Sequence, residues 1–310
     1  MIKRHLLLAA FLAAVASQAA LADEPAACRR VWFSDPGWTD ITSTTSLASV
    51  VLKGLGYQPS SQILSVAVTF ESLKNGDIDV FLGNWMPGQQ AMLEEYRAKG
   101  VELIRPNLTE AKVTLAVNRA AFEGGVKSFA DLAAHADRFG RKIYSIEPGS
   151  SANKHLSTII ETNDFGLGGW ELVESSEQGM LAQVDRAIRR GEWVVFLGWA
   201  PHPMNVRYQI DYLAGGDKYF GPNYGGATVQ TLTRPNLAKE CPNLGRFLQQ
   251  LAFSVGMENE MMDLILNEGQ DGETAARNWL KQHPDVLSPW LDGVTTMDGE
   301  PGLAAVKASL

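Results

Sequence analysis

Apolar runs rich in β-branched and aromatic residues alternate with helical patterns along most of this chain. The runs are RVWF at 30–33, QILSVAV at 62–68, IDVFLG at 78–83, KVTLAVN at 112–118, KIYSIE at 142–147, ELVES at 171–175 and WVVFLGW at 193–199. Between them, residues 39–56 and 176–192 repeat apolar residues at helical spacing. Runs that are apolar on both faces and separated by helices are typical of parallel sheets built from βαβ units. The sequence therefore predicts an α/β fold.

The character of the sequence changes after Tyr212. The Gly- and Pro-rich stretch AGGDKYFGPNYGGA is followed by helical patterns, and no strand is expected beyond about Leu232. Helices without a sheet of their own must cover another surface. We therefore expect the helical tail to pack against the first part of the chain.

This return of the chain predicts two lobes, each a mostly parallel sheet flanked by helices. Lobe I is expected to combine residues 23–111 with residues 217–310, and lobe II to consist of residues 112–216. The chain then crosses between the lobes near Lys112 and near Gly215. Two crossing strands are a natural hinge.

The first residues have the pattern of a secretory signal peptide. The basic pair KR precedes the apolar run LLLAAFLAAV, and ALA forms an A-x-A cleavage site. The run is shorter than the roughly 20 apolar residues that a membrane-spanning helix needs. We predict a signal peptide at residues 1–22, cleaved after Ala22, and a periplasmic protein. The sequence before Cys28 lacks a lipoprotein processing pattern, which favours a free protein over a lipid-anchored one.

The 2 cysteines, Cys28 and Cys241, are expected to pair, because an exported protein folds in an oxidising compartment. Two buried free thiols are the alternative. A disulfide bond would tie the start of the mature chain to its last quarter. It would thereby hold the helical tail against lobe I.

Charge and motif content exclude several functions. The net charge of −8 argues against nucleic acid or an anionic membrane as a partner. The 5 histidines lack metal-ligand spacing, and neither a Gly-x-Ser-x-Gly motif nor a phosphate-binding glycine loop occurs. We therefore expect no metal, no cofactor and no enzymatic activity, a secreted hydrolase being the disfavoured alternative.

Two distant apolar runs end in nearly the same residues, DVFLGNWMP and VVFLGWAPHP. In open α/β sheets, ligands bind beyond the carboxyl ends of the strands. Trp85 and Trp199 are therefore expected to face each other across the cleft between the lobes. The stretch SDPGWTD adds Trp38 after the first strand, with the carboxylate of Asp40 two residues further on.

A single tryptophan is more often part of a hydrophobic core than of a ligand site. Three of them at strand ends, beside Gly or Pro, favour a site, whereas the tryptophans at 32, 170, 193, 279 and 290 are expected to be structural. Converging indole faces suit a quaternary ammonium ion, which is held by cation–π attraction, or a sugar that stacks on them. A sugar also needs many polar partners, and few surround these tryptophans.

Several longer strings carry a resemblance to a known family. They are DIDVFLGNWMP, ESSEQGMLAQV, FLGWAPHPMN, FGPNYGGATV, MENEMM and GLAAVKASL, in colinear order along the chain. Together they resemble the glycine betaine and choline substrate-binding family of bacterial ABC importers, in particular its choline-binding members. The resemblance implies a two-lobed type II periplasmic binding protein fold that closes over choline or a related ligand and delivers it to a membrane permease. We also expect a monomer.

The resemblance assigns roles to particular residues. Trp38, Trp85 and Trp199 match the aromatic box of the family, and Asp40 matches the carboxylate that receives the choline hydroxyl. The paired cysteines also fit the family. His202, beside Trp199, is a further candidate for ligand contact, although a structural hydrogen bond in the Pro-His-Pro turn is an equal alternative.

Two positions depart from the choline-binding pattern. Val113 stands where choline-specific members carry Tyr, and Ser150 stands where they carry Asn. Both changes enlarge the expected pocket, and Ser150 begins a predicted helix whose amide groups favour an anion. Carnitine or glycine betaine is therefore an alternative to choline, and a sugar or polyol a more distant one. Asn153, in the same EPGSSAN segment, completes the set of candidate ligand-binding residues.

Overall fold

The computed structural model describes residues 24–310, and the predicted signal peptide lies outside this range. The strands belong to one 9-stranded sheet. They are β1 Arg30–Asp35, β2 Gln58–Ile63, β3 Val80–Met86, β4 Glu102–Asn118, β5 Lys142–Ser145, β6 Glu171–Glu174, β7 Val195–Ala200, β8 Ile210–Tyr212 and β9 Gly226–Thr233.

The helices follow and separate these strands. They are α1 Thr39–Gly54, α2 Val66–Asn75, α3 Gln90–Arg97, α4 Arg119–Glu123, α5 Phe129–Leu132, α6 Ser151–Glu161, α7 Glu177–Arg189, α8 Met204–Arg207, α9 Asp217–Phe220, α10 Pro222–Gly225, α11 Leu237–Glu240, α12 Pro242–Gln250, α13 Val255–Leu266, α14 Gly272–Gln282, α15 Leu287–Trp290 and α16 Gly302–Ser309. Short 3₁₀ helices lie at Ala26–Arg29, Ala133–Phe139, Asp164–Gly166 and Pro284–Val286. The two helices predicted from apolar spacing correspond to α1 and α7.

The sheet has the order β2-β1-β3-β9-β4-β7-β5-β6, and β8 pairs with β4. Strand β1 is parallel to β2 and β3, and β5 is parallel to β6 and β7. These two parallel groups are the cores of two lobes, and the antiparallel strands β4 and β9 lie between them. The predicted α/β fold with two lobes is therefore confirmed.

Strand β4 runs through both lobes. It pairs with β9 as far as Lys112, which lies opposite Gly226, and from Lys112 onward it pairs with β7. The return crossing follows α10, where Gly225 has a φ of 72° and packs against β4. A Cβ atom at Gly225 would lie 1.9 Å from the carbonyl oxygen of Val113, so this close approach requires glycine.

The inserted lobe keeps contact with the chain beyond its predicted end at residue 216. The ring of Phe220, in α9, lies 6.0 Å from that of Phe129 and 5.9 Å from that of His155, measured between centroids. Both partners belong to the inserted lobe. We propose that the return crossing lies near Gly226, with the other predicted lobe boundaries unchanged.

The run at 62–68 is predicted as a strand, and this prediction is wrong for its second half. Strand β2 ends at Ile63, and α2 begins at Val66. The buried side chains of α2 include Val66, Phe70 and Leu73, whose spacing of four and three residues is helical. The helical period, which continues beyond the run, decides the structure of this segment.

Strands β8 and β9 are not among the apolar runs predicted as strands. Strand β8 ends before the Gly- and Pro-rich stretch at 214–227, and β9 begins at the end of that stretch. Strand β9 buries Ala227, Val229 and Thr231, while the residues between them are half-exposed. This is the alternation of a strand, but its Thr and Gln residues conceal the pattern in a search for apolar runs.

The helical tail packs against lobe I, as expected. Helix α1 contacts α13, α14 and α16. The disulfide bond between Cys28 and Cys241 is confirmed, with an S–S distance of 2.03 Å, and it fixes the start of the tail beside the first strand. Within residues 24–310, every helix falls short of the length and apolarity that a membrane-spanning segment requires.

Candidate functional site

The repeated Phe-Leu-Gly motif places one tryptophan near the carboxyl end of a strand in each lobe. Trp85 is the last residue but one of β3, and Trp199 is the last residue but one of β7. Each strand is followed by a proline after a cis peptide bond, Met86–Pro87 in one lobe and Ala200–Pro201 in the other. The two lobes thus present the same local arrangement to the cleft between them.

A single cavity in this cleft brings most of the candidate residues together. The cavity has a volume of about 50 Å³, counted as the space open to the centres of water molecules, and it can hold a compact ligand. Its lining consists of Trp38, Asp40, Trp85, Gly88, Val113, Ile146, Ser150, Ser151, Ala152, His155, Leu197, Trp199, Tyr219 and Phe220. The tryptophans predicted to be structural, at 32, 170, 193, 279 and 290, lie outside this lining.

Carboxylates fix two of the three indole groups in the cavity. Trp85 Nε1 donates a hydrogen bond to Asp40 Oδ2 at 3.0 Å, and Trp38 Nε1 donates to both carboxylate oxygens of Glu147 at 3.0 Å. The Nε1 atom of Trp199 is buried and has no hydrogen-bond partner within residues 24–310. Bonds at the edge of an indole leave its faces free to contact a ligand.

The carboxyl group of Asp40 lies in the first turn of α1 and is 1% exposed. Its Oδ1 atom has no hydrogen-bond partner in the part of the chain that the structure describes. Burial, with added repulsion from Glu177, raises the pKa of Asp40 to about 8. A carboxyl group in this setting is stabilised in its ionised form by a neighbouring cation.

Further acidic groups surround Asp40. Burial raises the pKa values of Asp35 and Glu147, and the charge of Glu177 contributes to both shifts. Burial also raises the pKa of Glu258, with a contribution from Asp40. These buried acidic groups favour a positively charged ligand, because a cation beside them stabilises their ionised forms.

Val113 and the start of α6 form another part of the cavity wall. Ser150 caps α6, because its hydroxyl oxygen accepts a hydrogen bond from the backbone amide of Asn153 at 3.2 Å. Ser150 and Ser151 both line the cavity. Burial lowers the pKa of His155, which lies one turn further along the helix and also reaches the cavity.

Asn153 lies behind this wall. Its side-chain amide donates hydrogen bonds to the backbone oxygens of Ile146 and Glu147 at 2.9 Å and to the carboxylate of Glu174 at 2.8 Å. The hydroxyl of Ser145 donates to its amide oxygen. With its polar atoms used within the protein, Asn153 supports the turn that leads into α6 and does not reach the cavity.

His202 also lies outside the lining, although it contacts the lining residue Trp199. Its ring packs edge-on against Trp199, with 4.8 Å between the centroids and 75° between the planes. Its Nδ1 atom accepts the backbone amide of Met204 at 2.9 Å, and its Nε2 atom lies 3.1 Å from Glu177. This is the structural hydrogen bonding that the Pro-His-Pro turn offers as an alternative to ligand contact.

Tyr219 and Phe220 are cavity residues that the sequence did not reveal. They belong to the Gly-rich stretch that is predicted as loops, and Tyr219 is tied to the inserted lobe by a hydrogen bond from its hydroxyl to Asp164. The available signal is an aromatic pair directly before Gly221-Pro222, which resembles the setting of the strand-end tryptophans. Together with the three tryptophans, these two rings make five aromatic side chains in the cavity lining, apart from His155.

Comparison with known proteins agrees with this geometry. Residues 29–282 match the sequence profile of OpuAC, the substrate binding domain of ABC-type glycine betaine transport systems. The chain belongs to this family. Its fold is that of type II periplasmic binding proteins, and its family is one of transport proteins rather than enzymes.

Two solved structures and one curated protein show the range of relatives. An ABC-transporter choline binding protein in complex with choline is 56% identical, with a TM-score of 0.90, over 92% of this chain and 99% of that one. The unliganded, semi-closed form of an ABC-transporter choline binding protein, also 56% identical, gives a TM-score of 0.84 over 91% of this chain and 98% of that one. The glycine betaine/carnitine transport binding protein GbuC of Listeria monocytogenes is 29% identical over 147 residues, 47% of this chain and 48% of its own length.

Proposed function

We propose that this chain is the periplasmic substrate-binding component of an ABC importer and that its ligand is choline. It captures the trimethylammonium group in the aromatic cavity between the lobes and, as a monomer, delivers it to a membrane permease. The family supports the transport role, and the predicted signal peptide supports the periplasmic location. We expect no chemical change of the ligand.

The observation that carries this proposal is one cavity that combines indole faces with the carboxyl group of Asp40, whose Oδ1 atom has no hydrogen-bond partner within residues 24–310. A quaternary ammonium ion has no hydrogen to donate, so it is recognised by aromatic faces and negative potential. Trp38, Trp85 and Trp199 supply the faces, and Asp40 supplies the potential. Tyr219 adds a further ring to the wall.

Choline also fits the polar end of the cavity. The Oδ1 atom of Asp40 has no partner within the described residues and can accept the hydroxyl hydrogen of choline, which would repay its buried position. The extent of similarity to a protein solved with choline supports the same choice. In this arrangement Val113 and Ser150 shape the pocket, while Asn153 and His202 act by holding its walls.

Carnitine or glycine betaine is the second candidate. Helix α6 begins at the cavity, and its first amide groups carry a partial positive charge that favours a carboxylate. Val113 and Ser150 are smaller than the Tyr and Asn of choline-specific members, which leaves space for a longer ligand. The neighbouring acidic groups Asp40 and Glu177 oppose this candidate, because a ligand carboxylate would lie close to them.

Titration calorimetry with choline, acetylcholine, carnitine and glycine betaine tests the proposal. We expect one site per chain and the tightest binding for choline. Carnitine or glycine betaine binding more tightly would transfer the function to the second candidate. Binding of a sugar or polyol, with no response to any of the four trimethylammonium compounds, would overturn both.

A further inference from the structure

One buried carboxylate joins the two lobes. Glu177 is the first residue of α7, in the inserted lobe, and is 1% exposed. Its Oε2 atom accepts a hydrogen bond from the backbone amide of Thr39 at 2.8 Å, and its Oε1 atom accepts one from the Thr39 hydroxyl at 2.7 Å. Thr39 is the first residue of α1, in the other lobe. The carboxylate therefore lies between two helix N-termini, both of which favour negative charge.

The same carboxylate is linked to the cavity residue Trp199 through His202. His202 accepts the amide of Met204 at Nδ1, so its Nε2 atom carries the proton and donates to Glu177 Oε1 at 3.1 Å. The ring of His202 in turn packs edge-on against Trp199. Thr39 itself lies between the cage residues Trp38 and Asp40 in the chain. The hydrogen-bond partners of Glu177 therefore adjoin cavity residues of both lobes: Thr39 lies beside Trp38 and Asp40, and His202 packs on Trp199.

The two bonds between Thr39 and Glu177 can form only when the lobes are together, whereas the bond between His202 and Glu177 lies within the inserted lobe. On opening, the amide and hydroxyl of Thr39 lose Glu177 and bond to water instead. Hydrogen bonds to a carboxylate are stronger than those between neutral groups, and burial strengthens them further. Because Glu177 lies outside the cavity lining, its contribution acts on the closed arrangement and not through contact with the ligand.

Charge repulsion makes this contribution depend on the ligand. Glu177 and Asp40 belong to different lobes, and their proximity in the closed arrangement contributes to the raised pKa of Asp40. A cation beside Asp40 relieves this repulsion. Closure with a cationic ligand is therefore more favourable than closure around an empty cavity.

We propose that Glu177 is a closure latch, a positioning residue that bonds to Thr39 and His202 and sets the rate at which the closed lobes release the ligand. The effect on release rests on the proposed function, since it is measured with choline. The effect of the latch on how closely the two lobes approach each other can also be measured without a ligand.

Stopped-flow tryptophan fluorescence with choline on the full chain separates association from dissociation. Glu177→Ala removes the acceptor, and we expect dissociation to become about ten- to a hundredfold faster with little change in association. Glu177→Gln keeps the size of the side chain and one acceptor oxygen, so its effect should be intermediate. Glu161→Ala, which removes an exposed acid of the same lobe, is the control and should match the wild type.

A double-mutant cycle identifies the cross-lobe bond. Thr39→Val removes only the hydroxyl bond, and we expect dissociation about three- to tenfold faster. In the protein that combines it with Glu177→Ala, the acceleration should be smaller than the product of the two single effects, because both remove the same interaction. Independent, multiplying effects would overturn the latch, as would unchanged dissociation in Glu177→Ala.

Small-angle scattering without ligand keeps the two proposals apart. Absence of choline binding by the wild type would count against the proposed function alone. The latch is then tested by the radius of gyration of the ligand-free protein, which should be larger for Glu177→Ala than for the wild type. Equal radii in that case would overturn the latch.

Discussion

The indole Nε1 atom of Trp85 donates a hydrogen bond to Oδ2 of Asp40 at 3.0 Å, although the two residues are 45 positions apart in the chain. The bond joins the end of β3 to the first turn of α1. It fixes the edge of the ring and occupies one carboxylate oxygen, while the other has no partner within residues 24–310. One aromatic wall and the principal charge of the site are thus positioned together.

We expect the affinity for choline to increase with pH up to about pH 8. With the lobes together and no cation bound, the pKa of Asp40 is about 8. A bound cation favours the ionised form, so this pKa is lower in the complex. Between the two values, binding releases a proton, and the dissociation constant rises by up to about tenfold for each unit that the pH falls. Calorimetry from about pH 6 to about pH 9, in buffers of different ionisation enthalpy, measures both effects.

Asp40→Asn is the control for this pH dependence. The variant should bind choline more weakly near pH 8, and its affinity should change little across the range, because the titrating group is absent. His155 also lines the cavity and could titrate at the acidic end. A slope that persists unchanged in Asp40→Asn would assign the proton to a group other than Asp40.

Removal of a cage ring should weaken binding markedly. Trp85→Ala or Trp199→Ala deletes a cation–π partner and its contact area, and each should cost about 1 to 3 kcal/mol, or about ten- to a hundredfold in affinity. Trp32→Ala is the matched control, since Trp32 is 36% exposed and lies outside the cavity. Equal losses in all of these variants would indicate a general effect on folding and remove the support for a cage.

Val113→Tyr should shift selectivity towards choline. A ring at this cavity position adds a cation–π face, worth about 0.5 to 2 kcal/mol or about three- to thirtyfold in choline affinity, and it fills space that carnitine needs. Val113→Leu, which adds volume without a π face, is the control. Calorimetry of both ligands gives the ratio of dissociation constants, and an unchanged ratio would show that residue 113 does not select between them.

Reduction of the disulfide bond should lower the free energy of unfolding by several kcal/mol. The bond between Cys28 and Cys241 spans 213 positions, and chain-entropy arguments assign such a loop an upper value on the order of 5 kcal/mol. Denaturant unfolding with and without reductant measures the difference. Two alkylatable thiols in the unreduced, denatured protein would contradict the bond.

The sequence carries the elements of this fold because their patterns are local. Helix α1 is indicated by apolar residues that recur within one or two turns, and β3 and β7 by short uninterrupted apolar runs. The segment at 62–68 shows the limit of this information, since a short apolar run is compatible with either structure until the helical spacing of Val66, Phe70 and Leu73 is considered.

The sequence alone also predicted the chemistry that we propose for the site, through the repeated strand-end tryptophans and the carboxylate two residues after Trp38. Only the tertiary structure decided which groups complete it. Trp38 meets Glu147 across 109 positions, and Thr39 meets Glu177 across 138. Contacts at such separations leave no periodic pattern in the sequence, because they depend on how the two lobes come together. The supporting positions of Asn153 and His202 follow from packing and hydrogen bonding within one lobe, which residue type and spacing do not specify.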